Sequence, residues 1–116
     1  MILEENMANN NNADFDIKYG VLAKYNGKGG EVVIPKNVSR IGTRAFEGCS
    51  SVEKIMIPGN VTSIESFAFS GCSSLKSITI PVGVKSIGWK VFYGCSSLER
   101  IDIPNSVASI GWYAFA

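Results

Sequence analysis

Every 23 residues this chain repeats itself. Proline stands at 35, 58, 81 and 104 and cysteine at 49, 72 and 95, so both series advance by 23. The fullest copy runs Ile80-Pro81-Val82-Gly83-Val84-Lys85-Ser86-Ile87-Gly88-Trp89-Lys90-Val91-Phe92-Tyr93-Gly94-Cys95-Ser96-Ser97-Leu98-Glu99-Arg100-Ile101-Asp102. The same phrase opens at Ile34, Ile57 and Ile103. A period of this size turns each unit into one supersecondary element that buries its apolar side only against its neighbours. The chain therefore has to stack coils along an axis.

Each copy decodes in the same way. Leu75-Lys76-Ser77-Ile78-Thr79-Ile80 has the spacing L-x-x-I-x-I, and the alternation at Ile78 and Ile80 makes a short strand with its apolar side inward. Pro81 cannot donate to a ladder, so the strand stops there. Val84 and Ile87, three apart, point back inside. At Trp89-Lys90-Val91-Phe92 the fixed apolar pair (Ala45-Phe46, Ala68-Phe69, Val91-Phe92, Ala114-Phe115) predicts a single helical or 3₁₀ turn, closed by Gly94 in the left-handed conformation. Full repeats occupy 34–56, 57–79 and 80–102, with a partial one at 103–116. The strand at Ile101 to Ile103 is expected to be the last.

Ahead of the repeats, residues 1–13 are acidic and then asparagine-rich, with little to bury, and read as a disordered lead-in. Residues 14–33 read as an N-terminal β-hairpin cap. Phe15 and Ile17 alternate with Asp16 and Lys18, and Tyr19-Gly20 turns. Val21, Ala23 and Tyr25 then alternate with Leu22 and Lys24, before a glycine-rich turn at Asn26 to Gly30.

L-x-x-I-x-I at a 23-residue step, Ile-Pro after the strand, Ile-Gly-x-x-Ala-Phe and Gly-Cys-Ser-Ser-Leu together resemble the BspA-like, or Treponema pallidum-type, leucine-rich repeats over residues 34–116. The segment from Tyr19 to Pro35 is similar to the lead-in of such arrays. Three positions depart from the pattern: Val52 for Leu, Glu65 for Gly, and Gly29 where Leu is expected. The resemblance implies a leucine-rich-repeat solenoid of right-handed coils, with a parallel β-sheet of short strands on its concave face. It also implies a secreted or cell-surface protein of a gut or oral bacterium, engaged in adhesion to host proteins or to other cells. It transfers no functional residue.

The residues argue against most chemistry. The chain has no histidine, which removes the commonest general base and metal ligand. The serines of the Cys-Ser-Ser triplets consequently lack an activating partner and are expected to bond to the backbone at the corner of each coil. Three cysteines spaced one per coil form no C-x-x-C pair for a metal, and read as a ladder of small buried side chains. No pair of acidic residues recurs at a fixed position. Eleven basic against ten acidic residues give +1, with no electrostatic case for nucleic acid. No apolar run reaches membrane-spanning length, and Met1 to Asn12 lacks the shape of a signal peptide. A non-enzyme without metal or cofactor is the reading.

Recognition in a rigid repeat falls to the positions that vary. One set is a grid of outward strand residues: Glu31 and Val33, Lys54 and Met56, Ser77 and Thr79, Arg100 and Asp102. It is a solvated sheet face or a polar protein-binding face. The second set lies on the turns, where Thr43, Ser66, Trp89 and Trp112 form one column and Arg44, Phe67, Lys90 and Tyr113 the next. Glu47, Ser70 and Tyr93 form a third. Such aromatic surface suits an interface centre or a sugar-stacking surface, unless Trp89 and Trp112 simply stack on each other. The expected function is a protein-interaction or adhesion module. A structural spacer and a carbohydrate-binding module using the Trp89–Trp112 column are the alternatives. The uncapped coil at the C-terminal end is expected to promote end-to-end self-association.

Overall fold

A computed structural model describes residues 12–115. The lead-in expected over 1–13 thus lies outside the described residues as far as residue 11. A 3₁₀ turn at Asn12–Asp14 precedes β1 (Phe15–Lys18) and β2 (Val21–Tyr25). Then follow β3 (Gly30–Val33), β4 (Arg40–Ile41), β5 (Val52–Met56), β6 (Ser63–Ile64), β7 (Ser77–Thr79), β8 (Ser86–Ile87) and β9 (Ser109–Ile110).

The strands wind into a solenoid with two parallel sheets instead of one. The first contains β3, β5 and β7 in that order, made by the L-x-x-I-x-I segments. The second has the order β1-β2-β4-β6-β8-β9, and all its pairs after the opening hairpin are parallel. Its members β4, β6, β8 and β9 are two-residue strands, below the length at which a period of two is readable.

Proline makes the corner between the sheets. The carbonyls of Pro35, Pro58, Pro81 and Pro104 accept the N–H of Val38, Val61, Val84 and Val107 at 3.2, 3.2, 3.1 and 3.2 Å. The strand ends where the proline N–H is missing, and a β-turn carries the chain into the second sheet.

The hairpin β1–β2 turns through Tyr19 (φ 51°) and Gly20 (φ 80°), the doubly positive geometry that suits the twist of paired strands. The alternation expected in β2 is displaced. Leu22 is fully buried and Ala23 exposed, because β2 takes its register from its parallel neighbour, which places Leu22 opposite Ile41.

The third side of each coil is a chain of hydrogen-bonded turns, where a helical or 3₁₀ turn was expected. The N–H groups of Ala45, Glu47 and Cys49 bond back within the coil to Gly42, Arg44 and Phe46. Those of Arg44, Phe46 and Gly48 donate instead to the next coil, at Ser66, Ala68 and Ser70 (3.1, 2.7 and 2.8 Å). Every second amide is thus diverted along the axis, which a helix, bonding all its amides internally, cannot do. Turning alternate peptides this way puts Arg44, Phe67, Lys90 and Tyr113 at φ of 63, 62, 58 and 60°. Gly48, Gly71 and Gly94 take the left-handed conformation expected of them.

Inside the turns an aromatic spine runs along the solenoid. Phe15, Tyr25, Phe46, Phe69, Phe92 and Phe115 follow one another with ring centroids 5.4, 4.9, 5.2, 5.7 and 5.4 Å apart. Val38, Ile41, Val61, Ile64, Val84 and Ile87 fill the centre of the coils. The whole measures 43 × 26 × 22 Å.

Two further expectations change. The segment from Ile101 to Ile103 forms no strand. The first sheet reaches the last repeat only through a single bridge between Ser77 and Arg100. Ile101 and Ile103 are only half-buried there, and the Glu99 N–H to Lys76 contact is long at 3.5 Å. Among the described residues, the hydroxyls of the Cys-Ser-Ser triplets find no backbone partner. At Ser50 and Ser73 it is the amide that bonds, to the carbonyls of Gly48 and Gly71, both at 2.8 Å.

Candidate partner-binding surfaces

The cysteines stack at one corner of the coils. All three are free, Cys72 buried and Cys49 and Cys95 half-buried. The Cys72 thiol donates to the Phe46 carbonyl at 3.2 Å, and the Cys95 thiol to that of Phe69 at 3.1 Å. Burial, reinforced by the neighbouring thiols, pushes Cys72 up to about 12, and burial pushes Cys95 up to about 11. Cys49 is raised for the same reason. Thiols held in the neutral form inside a coil are packing groups and not nucleophiles. Among the described residues no group of three His, Cys, Asp or Glu side chains is placed to hold a metal. Among the described residues no helix is long and apolar enough to cross a membrane.

The outward grid assembles in register. Glu31 lies opposite Lys54, Lys54 opposite Ser77, and Ser77 bridges to Arg100. Val33, Met56 and Thr79 form the adjoining column. Arg100 and Asp102 are exposed on the last repeat, with Asp102 outside any strand. No ion pair joins Glu31 to Lys54 among the described residues, whose ion pairs are Arg40–Glu65 at 2.9 Å and Arg44–Glu47 at 2.7 Å. The grid has Met56 as its exposed large apolar side chain and carries no aromatic ring.

The turn edge is different. Trp112 is 79% exposed, Tyr113 61%, and Trp89 and Tyr93 46% each. They come together because the left-handed residue of each turn, and those beside it, project away from the core. The tryptophans do not stack on each other. Trp89 meets Phe67 at 5.2 Å with rings 57° apart, and Trp112 meets Tyr113 edge-on at 6.5 Å. Between them, over Gly111, opens a cleft of about 380 Å³ lined by Trp89, Trp112 and Tyr113. Cations thread the same column. The Arg44 guanidinium lies 4.2 Å from the centre of the Phe67 ring, and the Lys90 ammonium lies 5.1–6.0 Å from Tyr93, Trp89, Tyr113 and Phe67. The sequence pattern places Arg44 and Lys90 in the variable column beside the tryptophans, one residue after the Thr43–Trp112 column, but carries no sign of their contacts with the rings.

Residues 23–116 match the description of the BspA type leucine-rich repeat region, in six copies. This chain belongs to that family. No curated protein matches it. Among solved structures, a Treponema pallidum leucine-rich repeat protein superposes with a TM-score of 0.85 at 32% identity, covering 89% of this chain and 53% of its own. A leucine-rich cell surface protein of Faecalibacterium prausnitzii gives 0.73 at 38%, covering 82% and 29%. A leucine-rich repeat protein of Bacteroides ovatus gives 0.68 at 39%, covering 82% and 26%. The chain thus spans about half the length of the first of these proteins and under a third of the other two. The fold of the array is the shared property. The aromatic turn edge is read from this chain's own residues.

Proposed function

We propose that this chain is a non-catalytic protein-interaction module and that the aromatic turn edge, not the strand grid, is its binding face. The observation that supports this reading is the exposure of Trp89, Tyr93, Trp112 and Tyr113 as one contiguous group on adjacent coils. Large rings on a backbone held by inter-coil hydrogen bonds lose little freedom on binding, and interface hot spots are enriched in Trp, Tyr and Arg. The grid offers charges of both signs with no aromatic anchor.

Adhesion at a bacterial surface belongs to the same proposal, and draws on the description of the Faecalibacterium relative as a cell surface protein. The carbohydrate alternative has less support, because sugar sites add convergent polar side chains to the aromatic platform. The cleft is lined by Trp89, Gly111, Trp112 and Tyr113 alone. A spacer has no use for four exposed rings. The test is surface plasmon resonance over a panel of purified extracellular proteins, with the double variant Trp89→Ala/Trp112→Ala. Binding lost at least tenfold in the variant supports the reading. Binding that survives in the variant, or signal on a glycan array alone, sinks it.

A further inference from the structure

We infer that the turn edge takes a protein segment in which an acidic side chain lies next to an apolar one, the carboxylate meeting Lys90 and the apolar side chain entering the cleft between Trp89 and Trp112. This rests on the turn edge being the binding face. The argument comes from comparing coils at equivalent positions. Arg44 and Lys90 occupy the same place two repeats apart, both in the left-handed conformation. Three residues on, the first coil has Glu47, whose carboxylate accepts from the Arg44 guanidinium at 2.7 Å. The equivalent residue after Lys90 is Tyr93, so the place of the carboxylate is taken by a ring, 5.1 Å from the ammonium. One cation of the column is neutralised within the fold, and the other is not.

Nor, among the described residues, does another acid of this edge reach Lys90. Glu65 is bound to Arg40 at 2.9 Å and Glu47 to Arg44. Three bases (Arg40, Arg44, Lys90) less two acids (Glu47, Glu65) leave one positive charge, and it sits on Lys90. Lys90 is half-buried as a residue, and its ammonium lies 5.1–6.0 Å from the ring centres of Phe67, Trp89, Tyr93 and Tyr113. Ring faces attract a cation but do not fill its three N–H donors. The lysine is thereby held in place with donors to spare, at the rim of an apolar cleft. A carboxylate arriving there gains a charge-assisted hydrogen bond without having to order a free lysine chain.

The probe is a phage-displayed library of random dodecapeptides, selected on the whole chain and depleted on Trp112→Ala, with circular dichroism confirming that each variant is folded. Enriched peptides are expected to carry Asp or Glu within three positions of Phe, Trp or Leu. A synthetic copy of the tightest should lose at least tenfold in affinity on Lys90→Gln, with Lys90→Arg restoring most of it. The amide twin of the peptide (Asp→Asn or Glu→Gln) should bind the wild type as weakly as the acidic peptide binds Lys90→Gln, and lose nothing further on that variant. If peptides bind through Trp112 but the amide twin binds equally well, or Lys90→Gln changes nothing, the carboxylate inference falls and the turn-edge reading stands. If no peptide depends on Trp112, or acidic glycans bind in place of peptides, both fall together.

Discussion

Replacing Phe69 by Ala tests whether neighbouring coils are held ring against ring. Phe69 is 0% exposed, and its ring lies 5.2 Å from Phe46 and 5.7 Å from Phe92, so it bridges three coils. Burial of the side chain contributes about 1.5–3 kcal/mol. Each ring pair adds about 0.5–1.5 kcal/mol, in line with the roughly 3–5 kcal/mol, cavity included, typical of buried Phe→Ala changes. Native domains hold only about 5–15 kcal/mol in total, so the variant should approach the edge of unfolding. In a solenoid the damage also uncouples the coils on either side, which should broaden the transition as well as shift it. Urea titration followed by circular dichroism gives both the midpoint and the slope. Trp112→Ala, which removes a larger but exposed ring, should change stability by less than about 0.5 kcal/mol. A Phe69→Ala loss below about 1 kcal/mol, or one no larger than that of Trp112→Ala, would refute the spine as a source of stability.

The buried thiols give a pH dependence. Cys72 and Cys95 titrate near 12 and 11 in the folded chain and near 9 when free, so their contribution is intact below pH 9 and fades as pH rises through 11 to 12. The wild-type unfolding free energy from urea titration should fall more steeply above pH 9 than that of Cys72→Ala, by up to about 1.4 kcal/mol per pH unit. Parallel profiles would contradict the burial argument. Gly71 sits at φ +78°, so Gly71→Ala should cost about 1 kcal/mol, while Gly59→Ala, whose added methyl meets nothing within 4 Å, should be near neutral. Equal urea midpoints for the two variants would count against this. Ile110 and Phe115 are 45% and 47% exposed at the end of the coils, and a chain of these residues is expected to self-associate. Sedimentation velocity should show concentration-dependent growth that Phe115→Glu suppresses, and a monomer at all concentrations would overturn the expectation.

Much of this architecture is legible in the spacing of a few residues. The 23-residue step places Lys54 beside Ser77 and Ser77 beside Arg100, and those contacts are in the sheet register. It also aligns Phe46, Phe69 and Phe92, which stack. The second sheet was hidden because Ser63–Ile64 and Ser86–Ile87 are too short to show alternation, and parallel neighbours alone make them strands. A single helical or 3₁₀ turn fits the segments around the Ala-Phe pairs and their closing glycines when each coil is considered alone. Diversion of every second amide to the next coil is a tertiary effect that propensity does not carry.

The candidate surface was legible as a column of rings but not as a set of contacts. Its aromatic residues stand out at fixed offsets, yet which rings meet depends on side-chain direction, so Trp89 faces Phe67 and leaves a cleft toward Trp112. Lys90 acquires meaning only when its four ring neighbours and the Arg44–Glu47 pair are seen together. A lysine alone in a sequence is a solvated charge.

The binding face itself can be read directly, because the chain's two tryptophans are Trp89 and Trp112. Labelling with 5-fluorotryptophan gives one ¹⁹F resonance for each, silent to any unlabelled partner except through contact or rearrangement at this edge. On titrating a protein that binds the chain, both resonances should shift or broaden in step with complex formation, and Lys54→Glu and Arg100→Glu should leave the affinity within about threefold, a difference of roughly 0.7 kcal/mol. Saturating binding with both resonances unmoved, and lost on the Lys54 and Arg100 reversals, would place recognition on the strand grid and contradict the account.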